Sequence, residues 1–168
     1  RMALLSQGGD SSRLSVARSV LAEVIRPADP GVTAGLRVFG TGSTSEPCQD
    51  TRLVVPLAVA NQGQIAGELN TLEAGANAEA ALASAILSAI RDVAETQGPQ
   101  TLVVITGGVD SCSPEAGPLI AAEAERAGID IHLFVIGYQM TPAEAEALRG
   151  MIEAGGGDYF DAADEAAL

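Results

Sequence analysis

Residues 101–108 read TLVVITGG, an unbroken apolar and largely β-branched run that ends in a pair of glycines. A run this short and this apolar is typical of a central strand that is buried on both faces of a sheet. Such strands occur in parallel sheets, because helices cover both of their faces. The run therefore predicts an α/β fold built around this strand.

Outside this strand, apolar residues alternate between the strand period and the helix period along the chain. Residues 52–56 are expected to form an antiparallel edge strand, because Pro56 has no N–H to donate to a neighbouring strand. The order predicts one domain over residues 1–168, with a doubly wound, mostly parallel six-stranded sheet and helices on both faces. The predicted parallel strands are residues 2–6, 36–40, 101–106, 129–137 and 158–160.

Polar residues and prolines predict where several helices begin. Asn61 is expected to cap a short helix through its side chain, and Thr141 to open a capping box. Pro114 is expected at the first position of another helix, where its missing N–H does no harm. A final helix is predicted from Asp161 or Ala162.

The charge balance excludes several classes of partner. The chain has 22 acidic and 9 basic residues, all of the latter Arg, and a net charge of −13. This argues against nucleic acid, whose phosphates need clustered basic residues, and against docking on an anionic membrane surface. The longest apolar runs are also far too short to span a bilayer, so no membrane insertion is expected.

The two cysteines, Cys48 and Cys112, follow different predicted strands at the same edge of the sheet. They are too few for a cysteine-based zinc site. Their even number and common edge predict a disulfide bond, and with it an extracytoplasmic location. Two buried free thiols are the alternative.

Candidate catalytic patterns are weak. His132 lies within a predicted strand rather than on a loop, and no Gly-x-Ser-x-Gly motif is present. Residues 40–42, Gly-Thr-Gly, match only half of a dinucleotide-binding motif. A small α/β enzyme, either a hydrolase or a nucleotide binder, therefore remains only as an alternative. Four aspartates do not have the spacing of acidic residues at every second position that an EF-hand calcium loop requires. They are expected to cap helices or to face solvent: Asp110, Asp158, Asp161 and Asp164.

Three stretches together resemble a bacterial von Willebrand factor A domain. They are RLSVAR at residues 13–18, LRVFG at 36–40 leading to CQDTRLVVP at 48–56, and VVITGGVDSC at 103–112. The resemblance extends to residues 128–132 and 154–160 and covers almost the whole chain. It implies a Rossmann-like sheet flanked by helices.

The resemblance also implies the position of a metal-ion-dependent adhesion site at the carboxyl ends of the strands. That site takes carboxylate and hydroxyl ligands around Mg²⁺, but this chain keeps none of them in kind. We therefore expect a degenerate site with no cofactor, binding Mg²⁺ at most weakly through Asp10. The matching positions hold Ser6, Gly8, Asp10, Asn77 and Gly107.

Taken together, the resemblance and the lost ligands imply a non-enzymatic domain of the protein-interaction or adhesion type. It is expected to bind a protein partner through its strand-end loops without a metal. It is also expected to be part of a larger secreted or cell-surface protein. A purely structural domain is a further alternative.

Overall fold

The computed structural model describes residues 2–6, 11–42, 44–73, 75, 81–164 and 166–167. These described residues form six strands and five helices, and a short 3₁₀ helix, Pro47–Gln49, precedes the third strand. The strands are β1 (Met2–Ser6), β2 (Ala34–Phe39), β3 (Thr51–Ala58), β4 (Gln100–Thr106), β5 (Ile131–Tyr138) and β6 (Asp158–Ala162). The helices are α1 (Ser11–Ile25), α2 (Gln62–Thr71), α3 (Leu82–Val93), α4 (Gly117–Ala127) and α5 (Pro142–Ala154).

The strands form one sheet in the order β3-β2-β1-β4-β5-β6. All neighbouring pairs are parallel except β2 and β3, so β3 is an antiparallel edge strand as predicted. The register between β2 and β3 shifts on both sides of Leu36, which marks an irregularity in the ladder opposite Pro56. This is the predicted Rossmann-like arrangement.

Two hydrophobic layers enclose the sheet. Leu4 and Val104 point to the face covered by α3, α4 and α5, whereas Leu5 and Ile105 point to the face of α1 and α2. The alternation follows from the strand period of two, which sends successive side chains to opposite faces. None of the described helices is long and apolar enough to cross a membrane.

The predicted final helix was wrong, and two other elements begin two or three residues later than predicted. β5 begins at Ile131 rather than at residue 129, because Gly128 ends α4 in a left-handed conformation. α4 begins at Gly117 rather than at Pro114, since the preceding loop is held by other hydrogen bonds described below. The predicted final helix is replaced by strand up to Ala162, which pairs with Tyr138 in β5.

The two predicted helix caps differ in outcome. Thr141 and Glu144 form the reciprocal capping box, with the Thr141 N–H donating to Glu144 Oε2 at 2.8 Å. Asn61 stands at the N-cap of α2, but its side chain bonds no helix N–H. Its Nδ2 instead donates to the carbonyls of Ala34 at 2.6 Å and Pro56 at 3.1 Å. The amide therefore bridges β2 and β3 instead of capping a helix.

Candidate functional site

The carboxyl ends of the parallel strands meet at one edge of the sheet. We call two segments there the rim: the described part of residues 40–50, between β2 and β3, and residues 107–116, after β4. The helix that follows β1, α1, packs on one face of the sheet, and the helix that follows β4, α4, packs on the other face. Ligands of open α/β sheets bind at such a switch point, outside the carboxyl ends of the strands. The rim is therefore the candidate functional site.

A disulfide bond joins the two rim segments. Cys48 and Cys112 are bonded with their Cα atoms 5.5 Å apart, so the predicted bridge is present. The strands that precede the two segments, β2 and β4, are separated in the sheet by β1. The bond thus holds together two loops that the sheet alone would leave apart.

Asp50 organises the first rim segment from within. Its buried carboxylate accepts hydrogen bonds from Thr41 Oγ1 at 2.7 Å and from the Gly42 N–H at 2.6 Å. Gly40 and Gly42 both have positive φ, 63° and 67°, which a glycine adopts without strain. A residue with a side chain would fit this turn poorly, so the two glycines serve the shape of the loop.

Asp110 organises the second segment and connects it to a helix. Its buried carboxylate accepts from the Cys112 N–H at 2.9 Å, from the Ser113 N–H, and from the Ala83 N–H at 2.6 Å. Ala83 is in the first turn of α3, whose N–H groups have no partner within the helix. Asp110 therefore caps α3 from a distant loop, which confirms its predicted capping role.

Arg13 brings a positive charge to the rim. Its Nη1 donates to the Gly107 carbonyl at 3.1 Å. Among the described residues, this carbonyl is the acceptor that the Arg13 side chain binds. A Cβ atom at Gly107 would lie 3.5 Å from Arg13 Cδ. The Arg13 side chain therefore packs directly against Gly107, which has no side chain of its own. Hydrogen bonds from Thr141 and, to a smaller extent, the charge of Arg13 lower the pKa of Glu144.

The residues predicted for a degenerate metal site are only partly visible. Gly107 directly follows β4 at the rim, and Ser6 ends β1. Gly8, Asp10 and Asn77 lie outside the described residues, as does the side chain of Ser6. Within the described part of the chain, no three His, Cys, Asp or Glu side chains cluster closely enough to hold a metal ion.

His132, which the sequence analysis weighed as a catalytic residue, lies far from the rim. His132 is the second residue of β5, at the end of the sheet opposite the rim, and its side chain is 55% exposed. Its Nε2 lies 3.6 Å from Asp130 Oδ2. Both cysteines are bonded to each other, so neither is a free thiol nucleophile.

Sequence reasoning assigned no role to Arg13 or Asp50, although both lie in stretches that carry the family resemblance. Arg13 contacts Gly107, 94 residues away, and nothing in the local sequence indicates this. Asp50 accepts from the N–H of Gly42, which is 8 residues earlier, and this separation is longer than that of a local aspartate turn, so the sequence offered no signal for it either.

Comparison with known proteins identifies the fold. No protein-family model and no curated protein matches the sequence. Among solved structures, the chain is similar to an aerotolerance-related membrane protein from Bacteroides fragilis NCTC 9343, with a TM-score of 0.74 and 15% identity. The match covers 98% of this chain and 91% of that one. The domain therefore belongs to the open α/β sheets of Rossmann-like type.

Two further structures specify this class. A von Willebrand factor type A protein from Catenulispora acidiphila matches with a TM-score of 0.70 and 16% identity, over 98% of this chain and 38% of that one. The pilus adhesin SpaC from Lactobacillus rhamnosus GG matches with a TM-score of 0.71 and 16% identity, over 99% of this chain and 28% of that one. The chain has the von Willebrand factor A fold, as its sequence resemblance implies.

Proposed function

We propose that the chain is a non-enzymatic protein-interaction domain of the adhesion type, which binds a protein partner through the rim. The observation that carries this proposal is the Cys48–Cys112 bond, which joins two exposed loops into one surface. A surface held in its binding conformation loses less conformational entropy when a partner docks. The domain's structural likeness to an adhesin, and the disulfide itself, support an extracytoplasmic location.

Arg13 defines the chemistry that the partner offers. A guanidinium has five N–H donors, and one donor of Arg13 is used by the Gly107 carbonyl. The remaining donors suit a carboxylate, which guanidinium binds in a bidentate manner. The partner therefore presents an aspartate or glutamate side chain to the rim.

This binding mode needs no divalent metal. Gly107 offers no side-chain ligand, and the Arg13 guanidinium beside it would repel a second cation. The residues do not fit the metal site that the fold family implies. Calorimetric titration with Mg²⁺ and Mn²⁺ should show no saturable binding below millimolar concentration. Saturable binding that Asp10→Ala abolishes would contradict the proposal.

The proposal is tested by partner capture with matched bulky variants. Glu46→Trp with Glu115→Trp obstructs two exposed rim positions, whereas Glu95→Trp with Glu125→Trp makes the same change at exposed positions outside the rim. Proteins retained from an extracellular fraction by the wild-type domain should be lost with the first pair only, equally in EDTA and in Mg²⁺. Loss with both pairs, or with neither, would show that the rim is not the binding surface.

The role of Arg13 has its own test on the captured partner. Arg13→Gln should weaken binding about tenfold or more, because a charge-assisted hydrogen bond contributes about 1.5–3 kcal/mol. Arg18→Gln is the control, since Arg18 bonds the carbonyls of Leu72 and Asn70 at the end of α2. Equal effects of the two substitutions would contradict a carboxylate contact at Arg13.

A further inference from the structure

The two rim segments are attached to the domain in different ways. Every residue from 44 to 49 in the first segment is exposed, and we call this stretch the tip. The tip includes the 3₁₀ helix Pro47–Gln49, which has no buried residue. A stretch without a buried side chain gains little stabilisation from the hydrophobic core. The tip therefore depends on other contacts for its position.

Hydrogen bonds close turns within the tip. The Glu46 N–H donates to Thr44 Oγ1 at 3.2 Å, and the Gln49 N–H donates to the Glu46 carbonyl at 3.0 Å. At the base of the tip, the Asp50 N–H donates to the Pro47 carbonyl at 3.1 Å. These bonds shape the tip, but they do not join it to the second rim segment.

The second rim segment is fixed by buried groups of its own. Asp110 and Ala116 are 4% and 1% exposed, and Val109 packs against the core on the face of α3, α4 and α5. The Asp110 carboxylate accepts the N–H groups of Cys112 and Ala83, so it connects this segment to α3. The second segment therefore keeps its position without the disulfide.

The disulfide that joins the tip to the second segment is accessible from solvent. Cys48 is exposed and Cys112 is half-buried. Exposed disulfides are reduced more readily than buried structural ones, because a thiolate must reach one of the two sulfur atoms. Cys48 is the more accessible of the two residues, so a reductant meets it first.

We propose that this disulfide is a redox-controlled latch, which a dithiol reductant opens in the folded domain and which then releases the tip. One thiolate of the reductant attacks Cys48 Sγ, forms a mixed disulfide and displaces Cys112 as a thiolate. The second thiol of the reductant then attacks the mixed disulfide, so the reductant leaves with a disulfide of its own. Two electrons and two protons pass to the protein, and both cysteines end as thiols. The reverse exchange with an oxidised dithiol closes the latch.

Opening the latch changes the rim and leaves the sheet in place. The second segment stays where Asp110 holds it, whereas the tip becomes free to move. A partner that contacts both segments must then order the tip as it binds, which costs conformational entropy. Reduction therefore weakens binding at the rim, and this consequence rests on the function proposed above.

Hydrogen exchange of the 168-residue chain tests the latch without a partner. Dithiothreitol is the dithiol probe, and thiol alkylation under native conditions counts the cysteines that it reduces. After reduction, exchange at the N–H groups of Gln49 and Asp50 should rise about tenfold or more, because the tip then opens locally. Exchange at the Ala83 and Cys112 N–H groups should change far less, because Asp110 still holds them, and these groups are the internal control.

Cys48→Ser combined with Cys112→Ser is the matched variant, because it is open without a reductant. It should exchange rapidly at the tip with or without dithiothreitol. A partner captured by the oxidised domain should bind about tenfold more weakly to the variant and to the reduced wild type, as expected when several side chains must be ordered on binding. Reoxidation should restore binding to the wild type only.

Three results would overturn the latch: a disulfide that dithiothreitol reduces only in denaturant, unchanged exchange at the tip after reduction, or equal binding of the captured partner in both redox states. Faster exchange throughout β4 as well would also overturn it, because it would show that reduction unfolds the domain. Failure to capture any partner would instead contradict the proposed function, and the exchange experiment would still decide whether the latch opens.

Discussion

Arg37 of β2 and Asp92 of α3 form an ion pair in the interior, with Arg37 Nη2 2.7 Å from Asp92 Oδ2. Their side chains are only 9% and 17% exposed. Arg37 Nε donates to the same carboxylate at 2.8 Å, and Nη1 donates to Thr51 Oγ1 at 3.1 Å. A charged residue in a strand is thus fully engaged between the sheet and the helix that covers it.

Removing one member of this pair should be strongly destabilising. Asp92→Ala leaves the Arg37 guanidinium buried without its counter-charge, which costs about 3–5 kcal/mol in comparable cases. Urea denaturation should show this loss, and Arg37→Met combined with Asp92→Ala should recover most of it. A loss below about 1 kcal/mol for Asp92→Ala would mean that the pair behaves like an exposed one.

The Cys48–Cys112 bond should contribute substantially to the stability of the domain. It spans 64 residues, and closing a loop of that length stabilises by about 4 kcal/mol in the chain-entropy model. Replacing both cysteines with serine should lower the denaturation midpoint, and reductant should lower that of the wild type but not of the variant. Two reactive thiols in the denatured, unreduced wild-type protein would contradict the bond.

Two glycines in helices should respond to alanine in opposite directions. At Gly117 a Cβ would lie 2.6 Å from the Met151 carbonyl and 2.7 Å from Ala154 Cβ, so Gly117→Ala should force α4 and α5 apart. Such overpacking costs about 1–3 kcal/mol. Gly67 of α2 has open space around it, and Gly67→Ala should stabilise by about 0.5–1 kcal/mol. Thermal unfolding measures both, and destabilisation by Gly67→Ala would contradict this account.

A surface cluster between α3 and α4 should make stability depend on acid. Hydrogen bonds from Arg126 and Arg91 lower the pKa of Glu123 to about 2. Because the folded pKa lies below the unfolded value, the contribution is present above about pH 4.5 and is lost as the pH falls toward 2. Denaturation curves between pH 5 and 2 should be less pH-dependent in Glu123→Gln. An unchanged pH dependence would show that the cluster is screened by solvent.

Local signals determined those parts of the fold that depend on neighbouring residues. Residues 101–105 form most of β4, one of the two middle strands of the sheet. β-branched residues favour extended backbone, and the run lacks the alternating polar residues of a strand with one face in solvent. Pro56 determined the edge position of β3, since it lacks the N–H that an interior strand needs. Thr141 and Glu144 determined a helix start because both groups of the capping box lie within one turn.

Other features of the fold were decided by contacts between residues that are far apart in the sequence. Asp110 caps a helix whose first turn lies 27 residues earlier, and Asn61 gives up its helix cap for a bridge between two strands. The end of β6 was also decided in this way, because pairing with Tyr138 keeps Ala162 extended where the local sequence favours a helix.

The sequence by itself thus determined the α/β class, the edge strand and the even pair of cysteines on one rim. Only the tertiary structure decided that Arg13 meets Gly107 and that Arg37 meets Asp92. The physical reason is that these contacts depend on the order of strands in the sheet. That order places residues far apart in the chain within a few ångströms, and no local pattern encodes it.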